Sequence, residues 1–569
     1  MLAEPKLKII LDLVQSSTKE ELIWMNGYIS GLISNGKSQE EVAPASPSSA
    51  VKKITIAYGT ETGNSKKVAT EFAVKAKKKG IAAKLVSLDQ YKLNDLSKEE
   101  YFFTVISTQG EGEPPVGAKK FYDHIHNNGF KIPQLKYGVL ALGDTSYPLY
   151  CKAGEDVDIQ LNKLGGERIV PLQKCDVDFE QDADAWFEHV LKSLNEQNVV
   201  TPAAKIQPAT ETKKAAGKKY YNGIIITNIN LNDKGSNKQT YHVEVTADEP
   251  IEYEPGDALA LIPFNKASVV KEIIALTGVN TTLELETAKA KGTVEELLTK
   301  NLNICYLLSS VVKKYAAITG HQIPDARFDL IELIKKYPVK DAAQFVEVLK
   351  SLTAIAPRLY SISSSPNAHN GEVHITVSLN RFLVNNDERF GLCSEFIGGL
   401  PVDTNFTFYI HKNRNFRLPA PEKDIIMIGP GTGIAPMRSF LAERDATGAT
   451  GRNWLFFGEQ HFVTDFLYQT EIQSWLSTGV LTKLSLAFSR DQQEKIYVQH
   501  KMKKEAVELF SWIEAGAFIY ISGTKDPMSK DVENTLLEII QEQGNKSAEE
   551  ANAYLKKLKD EGRYEKDVY

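Results

Sequence analysis

The stretch Gly59-Thr60-Glu61-Thr62-Gly63-Asn64 follows the apolar run Ile54-Thr55-Ile56-Ala57 and precedes a helical pattern over residues 66–79. A glycine-rich loop between a strand and a helix offers backbone N–H groups and the positive end of the helix dipole to an anion. The loop has no lysine, whereas a triphosphate site needs Gly-Lys-Ser/Thr. The stretch therefore predicts a site for one phosphate monoester, held by the hydroxyls of Thr60 and Thr62 and by amides. A plain glycine-rich turn is the alternative.

Strands and helices alternate on both sides of this loop. Further apolar runs lie at Phe102-Phe103-Thr104-Val105-Ile106 and Tyr137-Gly138-Val139-Leu140-Ala141. This alternation predicts an α/β domain with a parallel, doubly wound sheet, whose ligands lie beyond the carboxyl ends of the strands. The loops that begin at Ser107 and Leu142 are therefore expected to complete the site.

Length and charge limit the kinds of protein to consider. At 569 residues the chain is too long for one core, so two to four domains are expected. A net charge of −6 favours neither nucleic acid nor anionic lipid as a partner. No apolar stretch reaches membrane-spanning length, so no membrane association and a cytoplasmic location are expected.

The positions of the cysteines argue against a metal site and against disulfide bonds. They are far apart and form no Cys-x-x-Cys pair, which disfavours a disulfide framework and a zinc or iron–sulfur site. No metal is expected, and redox chemistry would have to use organic cofactors. The four positions are Cys151, Cys175, Cys305 and Cys393.

Composition divides the chain into six segments. Two of them are rich in Ser, Pro, Ala or Lys without apolar periodicity, which is linker composition. The predicted order is a helical segment (1–36), a linker (37–50), the first α/β domain (51–195), a flexible tether (196–219), a β-barrel (220–418) with a helical insertion at about 266–352, and a second doubly wound domain (419–569).

A second group of motifs lies in the predicted barrel. In Arg358-Leu359-Tyr360-Ser361 the arginine can pair with a dinucleotide pyrophosphate, the tyrosine can lie against a flavin, and the serine can hydrogen-bond near its N5. Thr376-Val377-Ser378 offers groups for a ribityl chain, and Gly391-Leu392-Cys393-Ser394 offers amides for phosphate. This set resembles the FAD-binding barrel of ferredoxin–NADP reductases. Cys393 is expected to fill space rather than react.

The last domain carries a nucleotide loop, Gly429-Pro430-Gly431-Thr432-Gly433, between a strand and a helix that is expected to begin near Pro436. Its spacing is not Gly-x-Gly-x-x-Gly, and it resembles the nucleotide loop of the same reductases. Downstream, two cations and two hydroxyls are suited to a 2′-phosphate and hence to NADPH. The alternative for the two cations is a solvated charged loop. The expected NADPH-site residues are Gly431, Thr432, Gly433, Ser489, Arg490, Lys495, Tyr497, Gln499 and Asp531.

Over residues 51–569 these motifs together resemble the diflavin reductases. The resemblance implies a flavodoxin-like FMN domain, then an FAD-binding barrel, then a ferredoxin-reductase-type NADP-binding domain. In that family Tyr147 would stack on the isoalloxazine of FMN. The implied FMN contacts are Thr60, Glu61, Thr62, Gly63, Asn64, Ser107, Thr108, Gln109, Gly110, Gly112, Leu142, Gly143, Asp144, Tyr147 and Cys151.

The same resemblance assigns the hydride-transfer region to Ser361, Asp567 and Tyr569. In the family the last aromatic residue stacks on FAD and moves aside for nicotinamide. The implied FAD contacts are Arg358, Leu359, Tyr360, Ser361, Thr376, Val377, Ser378, Phe382, Gly391, Leu392, Cys393, Ser394 and Tyr569.

Within the family, the end Asp567-Val568-Tyr569 and the segment 21–31 look most like the flavoprotein component of assimilatory sulfite reductases. That implies electron flow from NADPH through FAD and FMN to a sirohaem and iron–sulfur hemoprotein, which reduces sulfite to sulfide. It also implies a homo-oligomer assembled through the amino-terminal segment. A soluble NADPH reductase for a monooxygenase or another heme partner, and a non-catalytic flavin-binding assembly or carrier protein, are the alternatives.

Two positions depart from the family pattern. Ser522-Gly523-Thr524 stands where many relatives have Cys-Gly-Asp, so hydroxyls replace a thiol and a carboxylate near the nicotinamide. Hydride transfer depends on alignment more than on acid–base chemistry, so activity is expected to survive with an altered rate or nicotinamide preference. Phe382 stands where the sulfite reductase component tends to have tyrosine, and it lacks the hydroxyl.

Overall fold

A computed structural model describes the chain at residues 53–60, 63–109, 112–127, 129–144, 149–176, 179–196, 219–287, 290–324, 326–384 and 387–569. The predicted assembly segment, the first linker and nearly all of the tether lie outside these residues. So do four expected FMN contacts, Glu61, Thr62, Gly110 and Tyr147. Within the described residues, no helix combines the length and the apolar character that a membrane span requires.

The first domain is a parallel doubly wound sheet, as predicted. Its strand order is β2-β1-β3-β4-β5, with β6 also paired to β4. The elements are β1 (Lys53–Gly59), α1 (Asn64–Lys78), β2 (Ala82–Ser87), β3 (Tyr101–Ser107), α2 (Lys119–Asn127), β4 (Lys136–Leu142), α3 (Lys152–Lys163), β5 (Glu167–Arg168), β6 (Gln173–Cys175) and α4 (Glu180–Glu196).

Both faces of this sheet are buried, because β1, β3 and β4 are apolar on both sides. Ile56 and Val105 pack into one core against α1 and α4. Ala57 and Ile106, the next residues along these strands, pack into the opposite core against α2 and α3. The strands are therefore fixed between two helical layers, and their carboxyl ends open at one edge.

The second unit is a six-stranded antiparallel sheet with a helical segment between its third and fourth strands. Its elements are β7 (Tyr220–Asn230), β8 (Thr240–Ala247), β9 (Ala258–Leu261), α5 (Ala267–Thr277), β10 (Glu284–Glu286), β11 (Lys291–Thr293), α6 (Val294–Glu296), α7 (Ser309–Thr319), α8 (Leu330–Lys336), α9 (Ala342–Ser351), β12 (Arg358–Ser361), β13 (Val373–Ser378), β14 (Arg381–Val384), β15 (Asp387–Phe390), α10 (Leu392–Gly398) and β16 (Asn405–His411).

The predicted closure of this sheet into a barrel is not confirmed. The strand order β12-β9-β16-β7-β8-β13 ends at β12 and β13, whereas a closed barrel has no edge strands. The two edges do approach each other, because Ile362 and Ile375 form an isolated bridge and Ser363 N donates to His374 O at 2.8 Å. The motif Arg358-Leu359-Tyr360-Ser361 forms β12.

The third unit is a second parallel doubly wound sheet, as predicted, with strand order β19-β18-β17-β20-β21. Its last strand places the carboxyl terminus beside β20. The elements are β17 (Ile425–Ile428), α11 (Ile434–Ala446), β18 (Asn453–Glu459), α12 (Phe462–Asp465), α13 (Gln469–Thr478), β19 (Lys483–Phe488), α14 (Val498–Lys504), α15 (Ala506–Glu514), β20 (Phe518–Gly523), α16 (Lys530–Gly544), α17 (Ala548–Asp560) and β21 (Tyr564–Val568).

Buried polar contacts join the antiparallel sheet to the last domain. Arg438 of α11 donates to Ser363 O at 2.8 Å and approaches His374 Nδ1 at 3.3 Å. His242 and Glu244 complete this cluster, with 3.0 Å between His242 Nε2 and Glu244 Oε1. Burial and the nearby Arg438 charge lower the pKa of His374 to about 2, so the ring is neutral. The cluster is a hydrogen-bonded interface between two domains.

Candidate functional site

Three strands of the first domain end side by side at one edge of its sheet. In the parallel register Gly59 pairs with Ile106, and Ser107 pairs with Leu142, so β1, β3 and β4 end at the same level. Gly63 has φ 94° and caps α1, and its N–H donates to Thr60 Oγ1 at 2.9 Å. The loop thus turns sharply into the helix, where first-turn amides can bind an anion.

The neighbouring loops are held by contacts with the body of the domain. Thr108 Oγ1 accepts from Ala153 N at 3.2 Å, and Gly143 N donates to Cys175 O at 3.0 Å. Cys151 is fully buried, and its thiol donates to Ala141 O at 3.2 Å. The predicted contact of Cys151 with FMN can therefore involve its backbone but not its side chain.

A cavity of about 2180 Å³ lies between the antiparallel sheet, its helical segment and the last domain. Residues predicted for FAD and for NADPH line this same cavity, which also reaches Leu149 of the first domain. The predicted residues on its wall are Arg358, Leu359, Tyr360, Ser361, Thr376, Ser378, Phe382, Gly391, Leu392, Cys393, Ser394, Gly431, Thr432, Ser489, Arg490, Lys495, Tyr497, Gln499, Asp531 and Tyr569.

Three predicted residues lie behind this wall. Val377 alternates with Thr376 and Ser378 along β13, so its side chain is buried in the sheet core. A Cβ on Gly433 would lie 2.1 Å from Ser522 O, so this glycine permits helix-to-strand packing rather than ligand approach. Asp567 is half-buried and accepts a hydrogen bond from the Ser361 hydroxyl.

Ser361 and Asp567 form one hydrogen-bonded pair across two domains. Ser361 Oγ donates to Asp567 Oδ2 at 2.6 Å, and burial raises the pKa of the carboxyl. Asp567 pairs in register with Ser522, whose fully buried hydroxyl has no hydrogen-bond partner among the described residues. Hydroxyl and carboxyl groups therefore meet where the antiparallel sheet faces the last strand.

The terminal aromatic residue lies two positions beyond Asp567 and lines the cavity. Tyr569 is 61% exposed, and its hydroxyl lies 2.5 Å from Thr432 Oγ1. Its backbone donates to Gly523 O at 3.1 Å and accepts from Lys525 N at 2.9 Å. Tyr569 is thus attached through its backbone and one hydroxyl contact, and its ring faces the cavity.

The thiol of Cys393 is not set up to react. Burial raises its pKa to about 12, and burial also raises the pKa of the neighbouring Tyr360 phenol well above its usual range. At the start of α10, Ser394 Oγ accepts from Asn380 N at 3.1 Å and donates to Gly391 O at 3.0 Å. These contacts shape the turn that presents the first amides of α10 to the cavity.

Two exposed cations at the carboxyl end of β19, Arg490 and Lys495, face the cavity. The adjacent carboxylate of Asp491 points away from them, because it accepts from His461 Nδ1 at 2.8 Å and from Phe462 N at 2.7 Å. Farther along the wall, Gln499 Nε2 donates to Asp531 Oδ2 at 3.3 Å. The cations are thus left available to an anionic ligand.

Several wall residues were missed by the sequence reasoning. Most of them come from the helical segment and from the β14–β15 hairpin with the residue before it, which carry no recognisable motif, and two come from the last domain. The missed residues include Asn303, Tyr306, Arg327, Asn380, Arg381, Arg389, Glu459 and Met528. No local signal could have found Tyr306 or Arg327, because only the fold brings the helical segment to the cavity.

The chemistry of the wall fits two dinucleotides. Cations and helix starts are available for phosphates, aromatic rings for planar bases, and hydroxyls for polar ring positions. The domain order therefore defines a class of reductase with one flavodoxin-like domain and a two-domain nucleotide-binding unit.

Comparison with known proteins agrees with this class. Residues 56–189 match a flavodoxin family, residues 323–396 an FAD binding domain, and residues 427–534 an oxidoreductase NAD-binding domain. The cofactors of this class are FMN, FAD and NADPH.

Similar proteins extend over the whole chain. The sulfite reductase (NADPH) flavoprotein alpha-component of Bacillus subtilis (strain 168) is 39% identical over 600 residues, covering 100% of this chain and 98% of that protein. The protein of the same name from Shewanella sp. (strain MR-4) is 35% identical over 599 residues, with the same coverage. The chain belongs to the family of sulfite reductase (NADPH) flavoprotein alpha-components.

Proposed function

We propose that the chain passes electrons from NADPH to FAD, then to FMN, and then to a sirohaem and iron–sulfur hemoprotein that reduces sulfite to sulfide. The main support for this proposal is that one cavity wall combines the predicted FAD and NADPH residues. The same cavity reaches Leu149 of the flavodoxin-like domain. A nicotinamide, an FAD ring and the edge of the FMN domain have access to one shared space.

Some residues of this wall would bind phosphate groups, and others would orient the reacting rings. Arg490 and Lys495 would bind the 2′-phosphate, and Arg358 would bind the FAD pyrophosphate. Ser361, whose proton is donated to Asp567, would present its oxygen as an acceptor toward the flavin, and Tyr569 would cover the ring until nicotinamide replaces it. The flavins supply the conversion of a two-electron hydride into single electrons.

Contacts of the first domain support direct transfer between the two flavin sites. Asn415 Nδ2 donates to Asn64 Oδ1 of the phosphate loop at 2.7 Å, and Lys66 Nζ lies 2.5 Å from Asp560 Oδ1. Both contacts are polar and exposed, so water can replace them at little cost. We propose that the FMN domain leaves this position, on the tether at 196–219, to reach its acceptor.

The decisive experiment is anaerobic NADPH oxidation by the purified chain together with the sirohaem hemoprotein of the same organism. Sulfite-dependent NADPH consumption with sulfide release is expected. Consumption with cytochrome c but not with the hemoprotein would instead favour a reductase for another heme partner. Failure of NADPH to bleach the flavin spectrum would indicate a non-catalytic carrier.

Assembly and location are separate proposals. We propose that residues 1–36 join copies of the chain and that the protein works in the cytoplasm. The four cysteines are free thiols, which suits a reducing compartment. Sedimentation of the full chain and of a variant that lacks residues 1–36 tests the assembly, and an unchanged mass would contradict it.

A further inference from the structure

Arg438 is a buried cation that none of the predicted sites includes. It lies in α11, the helix that follows the nucleotide loop at residues 429–433, and it is 4% exposed. It does not line the cavity. A buried charge destabilises a fold unless hydrogen bonds pair it, so its partners account for its position.

The partners of Arg438 belong to two domains. In the last domain, Arg438 Nε donates to Glu471 Oε2 at 2.6 Å, and Nη2 donates to Oε1 of the same carboxylate at 2.8 Å. In the antiparallel unit, Nη1 donates to Ser363 O at 2.8 Å. Ser363 lies two residues after Ser361, which lines the cavity. Because a guanidinium is planar and its donors have fixed directions, these bonds hold α11 against the end of β12.

Other side chains of the same helix bind the next residues of this segment. Ser439 Oγ donates to Ser364 O at 2.5 Å, and Ser365 Oγ donates to Glu443 Oε2 at 2.5 Å. Three consecutive residues, 363–365, are thus bound to α11. The helix begins at the nucleotide loop, so the loop and the flavin-side strand are attached to one rigid element.

Arg438 also contacts the support of a second cavity residue. Its guanidinium lies 4.8 Å from the ring centroid of Tyr468, which is a favourable contact for a cation in a buried site. The Tyr468 hydroxyl lies 2.7 Å from Thr376 Oγ1, and Thr376 lines the cavity. One guanidinium therefore lies behind both Ser361 and Thr376, two expected FAD contacts.

We propose that Arg438 is a positioning residue for hydride transfer, which sets the separation between the nucleotide loop and the flavin-side residues Ser361 and Thr376. The inference rests on the proposed function, in which one hydride moves from nicotinamide to flavin in this cavity. Arg438 exchanges neither proton nor electron in that step. Hydride transfer depends steeply on alignment, so a small shift of α11 against β12 slows it, whereas binding depends on many contacts and changes little.

Arg444 offers a matched control on the same helix. It is 3% exposed, and its hydrogen-bond partners among the described residues are Pro421 O, Lys423 O and Gly451 O. All three belong to the last domain. Arg438→Lys and Arg444→Lys therefore make the same change at two buried sites of one helix, and only the first loosens the contact between the domains.

The test uses the full chain with its flavins. FAD reduction by NADPH and by 4-deuterated NADPH is followed by anaerobic stopped flow, and the Kd for NADP⁺ is measured by titration. In Arg438→Lys the rate at saturating NADPH should fall about 10-fold or more with a full deuterium isotope effect, while FAD content and the Kd for NADP⁺ stay within about twofold. Amide hydrogen exchange of residues 362–365 should become faster. Arg444→Lys should change none of these quantities.

Glu471→Gln tests the same contact without removing the arginine. The Glu471 side chain is 41% exposed, so its substitution threatens the fold less than a change at Arg438 does. It should slow the same step and leave the Kd for NADP⁺ unchanged.

Parental rates in Arg438→Lys and in Glu471→Gln would overturn the positioning role. Equal slowing in Arg444→Lys would also overturn it, because a general loss of stability would then explain the effect. A rise in the Kd for NADP⁺ that accounts for the slower turnover would replace positioning with binding. If NADPH did not reduce the FAD of the unmutated chain, the proposed function would fail first and this inference would fail with it.

Discussion

Ser361 Oγ donates to Asp567 Oδ2 at 2.6 Å, although the two residues are 206 positions apart and belong to different domains. The serine ends β12 of the antiparallel sheet, and the aspartate belongs to β21, the last strand of the chain. Because β21 lies beside β20, Asp567 also pairs in register with the buried Ser522. The pair ties the flavin-side sheet to the strand that carries Tyr569.

Asp567→Asn should slow the reduction of FAD without lowering the stability of the protein. Burial raises the pKa of the Asp567 carboxyl above its unfolded value of 3.8, so the folded state favours the protonated form and ionisation lowers stability as the pH rises. The variant should therefore melt no lower than the parent at pH 8. Its FAD reduction by NADPH in anaerobic stopped flow should slow about 10-fold, as expected for about 1.4 kcal/mol of lost alignment. Ser361→Ala should show a similar loss, and wild-type rates in both variants would rule out the proposed orientation.

Glu565 should make stability depend on pH near neutrality. Burial raises its pKa to about 7 from 4.5, while Arg417 N donates to its carboxylate at 3.0 Å. The stabilising contribution is complete below pH 4.5 and is lost as the pH rises through 7, because only the folded state holds the proton. When the pH rises from 5 to 8.5, the free energy of unfolding should fall in the parent by about 1–3 kcal/mol more than in Glu565→Gln. If the stabilities of the two proteins changed equally with pH over this range, the raised pKa of Glu565 would be refuted.

Gly63→Ala should empty the FMN site. Gly63 needs a left-handed backbone at φ 94°, although a Cβ would meet no atom within 4 Å. Gly80, near the other end of α1, has φ 78° and equally open surroundings, so Gly80→Ala is a matched control. Each variant should cost about 1–2 kcal/mol of stability in the first domain. Only Gly63→Ala should lose FMN, measured by flavin release. Its FAD content and its NADPH-dependent ferricyanide reduction should persist. Loss of both flavins would contradict two independent flavin sites.

Arg490→Ala should weaken NADPH binding selectively. The arginine is exposed at the cavity, and an interaction with the 2′-phosphate is absent for NADH. The KM for NADPH should rise about 10-fold or more, with little change for NADH, as expected from about 1.5–3 kcal/mol for a charged hydrogen bond. Lys504→Ala removes an exposed cation of the same domain outside the cavity wall and should change neither KM. Equal effects on both nucleotides would place the 2′-phosphate elsewhere.

The two parallel sheets were predictable from local pattern. The central strands β1, β3, β4, β17 and β18 are largely apolar runs that are buried on both faces, and each is followed by a helix. The antiparallel unit was harder to predict, because its closure depends on the approach of Ile362 to Ile375. No pattern within either segment reports how closely two sheet edges approach each other.

Some residues of the candidate site were likewise predictable from the sequence, and others were not. The motif residues Thr432 and Arg490 were predictable because a contiguous loop defines its own chemistry. The alternation of Thr376, Val377 and Ser378 along β13 allows only the first and third side chains to reach the cavity. Tyr306 and Arg327 had no motif, since their role depends on how the helical segment folds back on the hairpin.

The sequence alone determined the order of the domains, the nucleotide loops and the family, because those features are set by residues close together in the chain. The tertiary structure decided which motif residues share one cavity, which of them turn into the core, and where the carboxyl terminus lies. The Ser361–Asp567 hydrogen bond and the ring contact between Tyr306 and Phe382 both join distant parts of the chain. Such contacts depend on the packing of whole domains, which no local stretch of sequence encodes.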